Sequence, residues 1–181
     1  MQTTIQFDPA LLLRAQGIQV VFLDVDGVLT DGSLYYGETG ETLKRFNTLD
    51  GHGLKLLQRA GVTPVVITGR DSKALRVRLQ ALGVEHAHYA CEDKVAAAES
   101  SLAALGCNWS QAAAMGDDWP DLGLLRRSAL ACAPCNAHLE VRSIAHYVTQ
   151  VHGGEGAVRE LCDLLLVASG HYARLLQDHA Q

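Results

Sequence analysis

Two aspartates one residue apart, Asp24 and Asp26, close the apolar run Val20-Val21-Phe22-Leu23, and Gly27 follows at once. An apolar extended segment that ends in charge delivers the charge to a fixed point, at a cost unless that charge is used. Three more segments end in the same way. Thr68-Gly69-Arg70 follows Val65-Val66-Ile67, Lys94 follows the run at 85–89, and Gly116-Asp117-Asp118-Trp119-Pro120-Asp121 follows Ala112–Met115. In open α/β sheets ligands bind beyond the carboxyl ends of the strands, so parallel pairing would bring these groups to one edge. Together they suit a hard divalent cation and a phosphoryl group. Mg²⁺ would be held by Asp24, the backbone carbonyl of Asp26 and Asp117. Asp24 is a candidate nucleophile, because a carboxylate can form an aspartyl-phosphate. Thr68, the Gly69 amide and Lys94 can bind the non-bridging phosphoryl oxygens. Asp26 can protonate a leaving alkoxide and then deprotonate the attacking water. Asp118 and Asp121 would orient metal-bound waters or Lys94.

Taken singly, each segment has a plainer reading. Asp-x-Asp-Gly is a turn, although a calcium loop would need a third acidic or amide residue before its glycine. Thr68-Gly69-Arg70 is a strand-to-helix cap, Gly116-Asp117-Asp118 a helix start with favourable acidic residues, and Lys94 a surface lysine. Their order and their shared position at strand ends carry the chemical reading. Cys132-Ala-Pro-Cys135 has redox spacing but follows a late strand, and the eight histidines show no zinc-ligand spacing. His52, between Gly51 and Gly53, reads as a loop residue near the site, either exposed filler or a substrate contact. Tyr35 and Tyr36 could line the site's mouth, but packing between subunits is the better reading for a hairpin pair.

The elements that must position these residues follow from hydrophobic runs. Strands are expected at 18–24, 63–68, 85–89, 111–115 and 128–132, with helices at 51–60, 71–82, 93–105, 118–126, 136–142 and 155–168. Strand and helix in alternation predict an α/β fold: a Rossmann-like, doubly wound, mostly parallel sheet with helices on both faces. Residues 32–46 break the rhythm with two short β-prone runs around a Gly-rich turn, an inserted β-hairpin. The 181 residues suit one domain (1–181) with a core at about 15–168. A polar tail, 169–181, would remain for a partner chain to order. At 48% hydrophobic, 19% charged and a net charge of −5, without a basic run, the chain is a poor fit to nucleic acid. No segment approaches the roughly 20 apolar residues of a membrane span, and the opening residues lack an export pattern. The expectation is a cytoplasmic protein with its five cysteines reduced.

Asp24-Val-Asp26-Gly-Val, Thr68-Gly-Arg, Lys94 and Gly-Asp117-Asp118-x-x-Asp121 resemble, in order, the four motifs of the haloacid dehalogenase superfamily of phosphatases. A narrower set adds the hairpin, Phe46-Asn47-x-x-Asp50-Gly51-x-Gly53 and Gly153-Gly154-x-Gly156-Ala-Val-Arg159-Glu160. That set is similar to the 3-deoxy-D-manno-octulosonate 8-phosphate phosphatase family over about residues 15–168. The resemblance implies Mg²⁺-dependent hydrolysis of that sugar phosphate through an aspartyl-phosphate, a step towards lipopolysaccharide. It implies no large cap domain. It also implies a homotetramer whose hairpins assemble centrally and whose neighbouring subunits help to close each site. Arg78 matches an arginine of the family and, with Arg70, is a candidate substrate contact. A related phosphatase for a nine-carbon keto-deoxy sugar acid 9-phosphate tends to carry Glu where Arg70 stands. Glu155 departs from the family, which commonly has arginine there. The remaining alternative is a catalytically idle regulatory module, such as some sugar nucleotidyltransferases carry; a scaffold has no need of Asp24, Asp26, Thr68, Lys94 and Asp117 together.

Overall fold

A computed structural model describes residues 4–180. Strand β1 (Val20–Leu23) is buried along its whole length. Val20 and Phe22 enter one apolar layer and Val21 and Leu23 the other, because successive side chains of a strand point to opposite faces. A strand covered on both faces reads as a continuous apolar run. The hairpin strands β2 (Tyr35–Gly37) and β3 (Gly40–Leu43) follow and, among the described residues, pair only with each other, antiparallel. Next come β4 (Thr63–Ile67), β5 (His86–His88), β6 (Ala112–Met115), β7 (Leu130–Ala133) and β8 (Tyr147–Val148). These five and β1 form one parallel sheet in the order β5-β4-β1-β6-β7-β8. The fold is the expected doubly wound α/β sheet.

Helices α1 (Pro9–Ala15), α2 (Thr48–Arg59), α3 (Lys73–Leu82) and α7 (Ala157–Ala168) cover one face. Helices α4 (Lys94–Leu105), α5 (Leu122–Arg127) and α6 (Leu139–Ile144) cover the other. Local signals set the starts. Asp93 accepts hydrogen bonds from the Val95 and Ala96 N–H groups at 3.1 and 3.0 Å, which makes Lys94 the first residue of α4. Asn47 accepts from the Leu49 N–H at 2.8 Å, so α2 begins at Thr48, three residues before the expected start. Gly51, His52 and Gly53 are therefore helical. A Cβ on Gly51 would lie 2.3 Å from Arg78 Nη2, and one on Gly53 would lie 3.0 Å from Arg159 Cδ and Cys162 Sγ. These glycines let α2 pack closely on α3 and α7.

Helix α1 and strand β8 are too short to leave a clear period and were not expected. The segment 169–181, expected to be a polar tail, instead contains α8 (Tyr172–Asp178). Tyr172, Leu175 and Leu176 recur at helical spacing, and Leu175 is 3% exposed within the layer formed by α2 and α7. The chain orders this segment against itself; residue 181 lies outside the described residues.

Candidate active site

The parallel sheet brings all four charged segments to one edge, around an open cleft of about 590 Å³. Asp24, Asp26, Thr68, Gly69, Arg70, Lys94, Asp117, Asp118 and Asp121 all line it. The Asp24 N–H donates to the Met115 carbonyl at 3.2 Å, which carries the β1–β6 pairing one residue past the strand and sets Asp24 beside the acidic loop. Lys94, 6% exposed, reaches across from α4. Its Nζ lies 2.8 Å from Asp24 Oδ1 and 2.7 Å from Asp121 Oδ1. The other oxygen of Asp121 accepts from the backbone N–H groups of Asp117 at 3.1 Å and Asp118 at 3.4 Å. Asp121, 2% exposed, thus ties the lysine to the loop that presents Asp117.

Asp24, Asp117 and Asp121 each offer an oxygen within 4.8 Å of the other two. Burial and, next, the charge of Asp121 push the Asp24 carboxyl up to about 6, against the pull of Lys94. Asp117 is pushed up to about 7 by burial and by the charges of Asp24, Asp121 and Asp118. One ammonium does not balance three crowded carboxylates. An oxygen-ligand dication would relieve that repulsion, and the donor set fits Mg²⁺.

Gly27 has φ +91°, and a Cβ there would lie 2.0 Å from Asp117 Oδ2. The glycine is needed both for the left-handed turn and for the approach of the loop carrying Asp117. The turn is supported from the far end of the chain. The Gly154 N–H donates to the Val28 carbonyl at 2.9 Å, and a Cβ on Gly153 would lie 1.7 Å from the Gly27 carbonyl oxygen. The glycine pair of the last motif is therefore a brace for the acidic turn.

Thr68 is buried, and its Oγ1 accepts from the Arg70 N–H at 3.2 Å. The Arg70 guanidinium is half-exposed, with Nε 3.7 Å from Asp26 Oδ2 and Nη1 donating to the Tyr36 hydroxyl at 3.3 Å. Asp118 is exposed at the rim. Arg78 does not reach the cleft of its own chain. It lies on the side of α3 facing α2, donates to the Asn47 carbonyl at 3.2 Å and stacks near the Phe46 ring. His52 is likewise remote: its ring meets that of His179 edge-on at 5.3 Å, between α2 and α8. Glu155 sits 3.6 Å from Arg45 on the surface and shares that cation with Asp31, which lies nearer at 3.1 Å.

Two residues that the motifs gave no role also matter. Lys44, directly after β3, ion-pairs with Asp26. Asp50, 1% exposed, accepts from the Arg159 N–H at 2.7 Å and is pushed up to about 6 by burial, with the first amides of α7 pulling the other way. Asp50 left a signal in the Asp50-Gly51-x-Gly53 motif, whereas a lone lysine in a hairpin leaves none.

A family model described as haloacid dehalogenase-like hydrolase matches residues 90–161. The 3-deoxy-D-manno-octulosonate 8-phosphate phosphatase KdsC of Yersinia pestis is 42% identical over 158 residues, covering 87% of this chain and 84% of that protein. The protein of that name from Escherichia coli K12 is 39% identical over 160 residues, covering 88% and 85%. The Yersinia pestis crystal structure superposes with a TM-score of 0.89 at 40% identity, covering 91% of this chain and 89% of that one. A structure of the phosphatase from Moraxella catarrhalis, in complex with a magnesium ion, a phosphate ion and a KDO molecule, gives a TM-score of 0.91 at 34% identity. It covers 94% of this chain and 98% of that one.

Proposed function

Since the chain belongs to the 3-deoxy-D-manno-octulosonate 8-phosphate phosphatase family of haloacid dehalogenase-like hydrolases, we propose that it hydrolyses that sugar phosphate with Mg²⁺, giving the free sugar acid and phosphate for lipopolysaccharide precursors. The observation that carries the reading is the convergence of Asp24, Lys94 and Asp117 beside Asp26 at the end of β1. Asp24, the Asp26 carbonyl and Asp117 would hold the ion, which when bound supplies charge neutralisation and draws in a phosphoryl oxygen.

In the first step a carboxylate oxygen of Asp24 attacks phosphorus, the bond from phosphorus to the sugar oxygen breaks, and Asp26 donates a proton to that oxygen. In the second, Asp26 takes a proton from a water that attacks the aspartyl-phosphate, releasing phosphate and restoring Asp24. Lys94, the Thr68 hydroxyl and the Gly69 amide face the transferred phosphoryl oxygens as their charge redistributes. Asp121 keeps Lys94 aimed, and Asp118 meets solvent at the rim. Arg70, half-exposed beside the cleft, suits a sugar-acid carboxylate or hydroxyls. The proposal includes a homotetramer, as the family resemblance implies, and Arg78 would contact substrate only in a neighbouring chain's cleft. A cytoplasmic setting, with a small-molecule substrate and neither nucleic acid nor membrane as partner, completes it.

Purified protein with Mg²⁺ is expected to release phosphate from 3-deoxy-D-manno-octulosonate 8-phosphate with kcat/KM far above that for simple phosphomonoesters. Equal values across a panel of sugar phosphates would sink the substrate assignment. Asp24→Asn is expected to abolish turnover; wild-type rates would refute the nucleophile. The second reading, the nine-carbon sugar acid 9-phosphate, is separated by kcat/KM on both substrates. Arg70, in place of the glutamate of that relative, favours the eight-carbon one.

A further inference from the structure

The acidic turn has a neighbour that comes from the hairpin rather than from the parallel sheet. Lys44 reaches from the base of the inserted hairpin to Asp26 Oδ1, and Glu41 Oε1 stands 2.8 Å from the same ammonium. The Lys44 side chain is 1% exposed, whereas Asp26 keeps 20% and faces the cleft. Lys44 itself is not among the residues lining the cleft. It is enclosed behind the carboxylate, out of reach of a bound substrate.

Asp26 thus stands between two cations of different character. Arg70, 3.7 Å from Oδ2 and 45% exposed, has room to turn towards a ligand. Lys44 has none. A general acid must present one oxygen within hydrogen-bond reach of the leaving atom, and a free aspartate rotates about two side-chain bonds. An ammonium enclosed on Oδ1 removes that freedom and leaves Oδ2 towards the cleft.

We propose that Lys44 is a positioning residue for Asp26: it pins Oδ1 so that Oδ2 exchanges the proton with the leaving oxygen and the attacking water. The proposal rests on Asp26 being the acid/base, as argued under Proposed function. It gives the hairpin a part in the chemistry of its own chain.

The test compares Lys44→Met, of similar length without charge, with wild type on two Mg²⁺-dependent reactions. One is hydrolysis of the sugar phosphate, whose alkoxide needs a proton; the other uses p-nitrophenyl phosphate, whose leaving group does not. Lys44→Met is expected to lose about tenfold or more in kcat/KM on the sugar phosphate, through kcat rather than KM, and about threefold or less on the aryl ester. Lys44→Arg should recover part of the loss. An equal loss on both substrates, or a rise in KM at unchanged kcat, overturns the proposal. If Lys44→Met does not fold, Glu41→Gln, which loosens the ammonium without removing it, should give a smaller loss of the same selectivity; an unselective loss or none overturns the proposal. Asp26→Asn in the same assay separates the two levels. A selective loss there without one at Lys44 ends the positioning role alone, while an unselective result at Asp26 removes the acid/base assignment itself.

Discussion

Asp121 makes little sense as a third metal carboxylate when one of its oxygens is 2.7 Å from Lys94 and the other accepts two loop amides. Its use is to keep the lysine and the loop in one geometry, so charge crowding at this edge is organised by contacts rather than by count. Gly27 shows how little slack remains. Alanine there would combine φ +91° with a Cβ 2.0 Å from Asp117 Oδ2, whereas at Gly17, with φ +75°, a Cβ would meet nothing within 4 Å. Both Gly27→Ala and Gly17→Ala should lose about 1 kcal/mol for the left-handed backbone. Only Gly27→Ala should also weaken Mg²⁺ binding, by about tenfold or more in calorimetric titration, because only there must a metal carboxylate move. Matching Mg²⁺ affinities in the two variants would contradict this account of the turn.

At the scale of elements, the site rests on parts distant in sequence. The start of α7 is anchored by Asp50 of α2, and the loop before α7 packs on the turn after β1. Asp50 carries its charge at a cost, since burial raises its carboxyl from 3.8 to about 6. A raised carboxylate destabilises the fold above its folded value and stops doing so once protonated. The window is therefore pH 4 to 6, with the relief growing as pH falls. Asp50→Asn keeps an acceptor for the α7 amides without the charge. Its melting midpoint relative to wild type should be higher at pH 7 than at pH 5, by a difference worth about 1.4 kcal/mol. A constant offset across those pH values would show that Asp50 does not titrate as argued.

For the whole molecule, the hairpin is the outstanding surface. Tyr35, Tyr36 and Leu43, 40%, 64% and 51% exposed, lie on a two-stranded sheet that no other described strand joins, and Leu34, 41% exposed, directly precedes it. An isolated two-stranded hairpin is marginal in water, and large exposed side chains concentrated on one suit a protein–protein contact. The proposed homotetramer predicts sedimentation at four times the 19.5 kDa chain mass. Leu34→Glu with Leu43→Glu should shift the protein to smaller species and lower its activity on the sugar phosphate. Wild type sedimenting as a single chain at assay concentration would rule the assembly out.

Asp24, Asp26, Thr68, Lys94 and Asp117 were legible as a set because each follows a buried run, and parallel strands put every such position at one sheet edge. The sequence by itself therefore determined five of the six sheet strands, their parallel arrangement and the convergence of these five residues on one edge. Local chemistry sufficed for this: apolar runs, capping residues and a glycine after the acidic pair. Lys44 behind Asp26, Arg78 turned away from the cleft, Asp50 under α7, Gly153 against Gly27 and α8 folded back on α7 were decided only by tertiary structure. Each depends on which distant surface a residue meets, and neither the type nor the local spacing of a residue encodes the partner that long-range packing will bring to it.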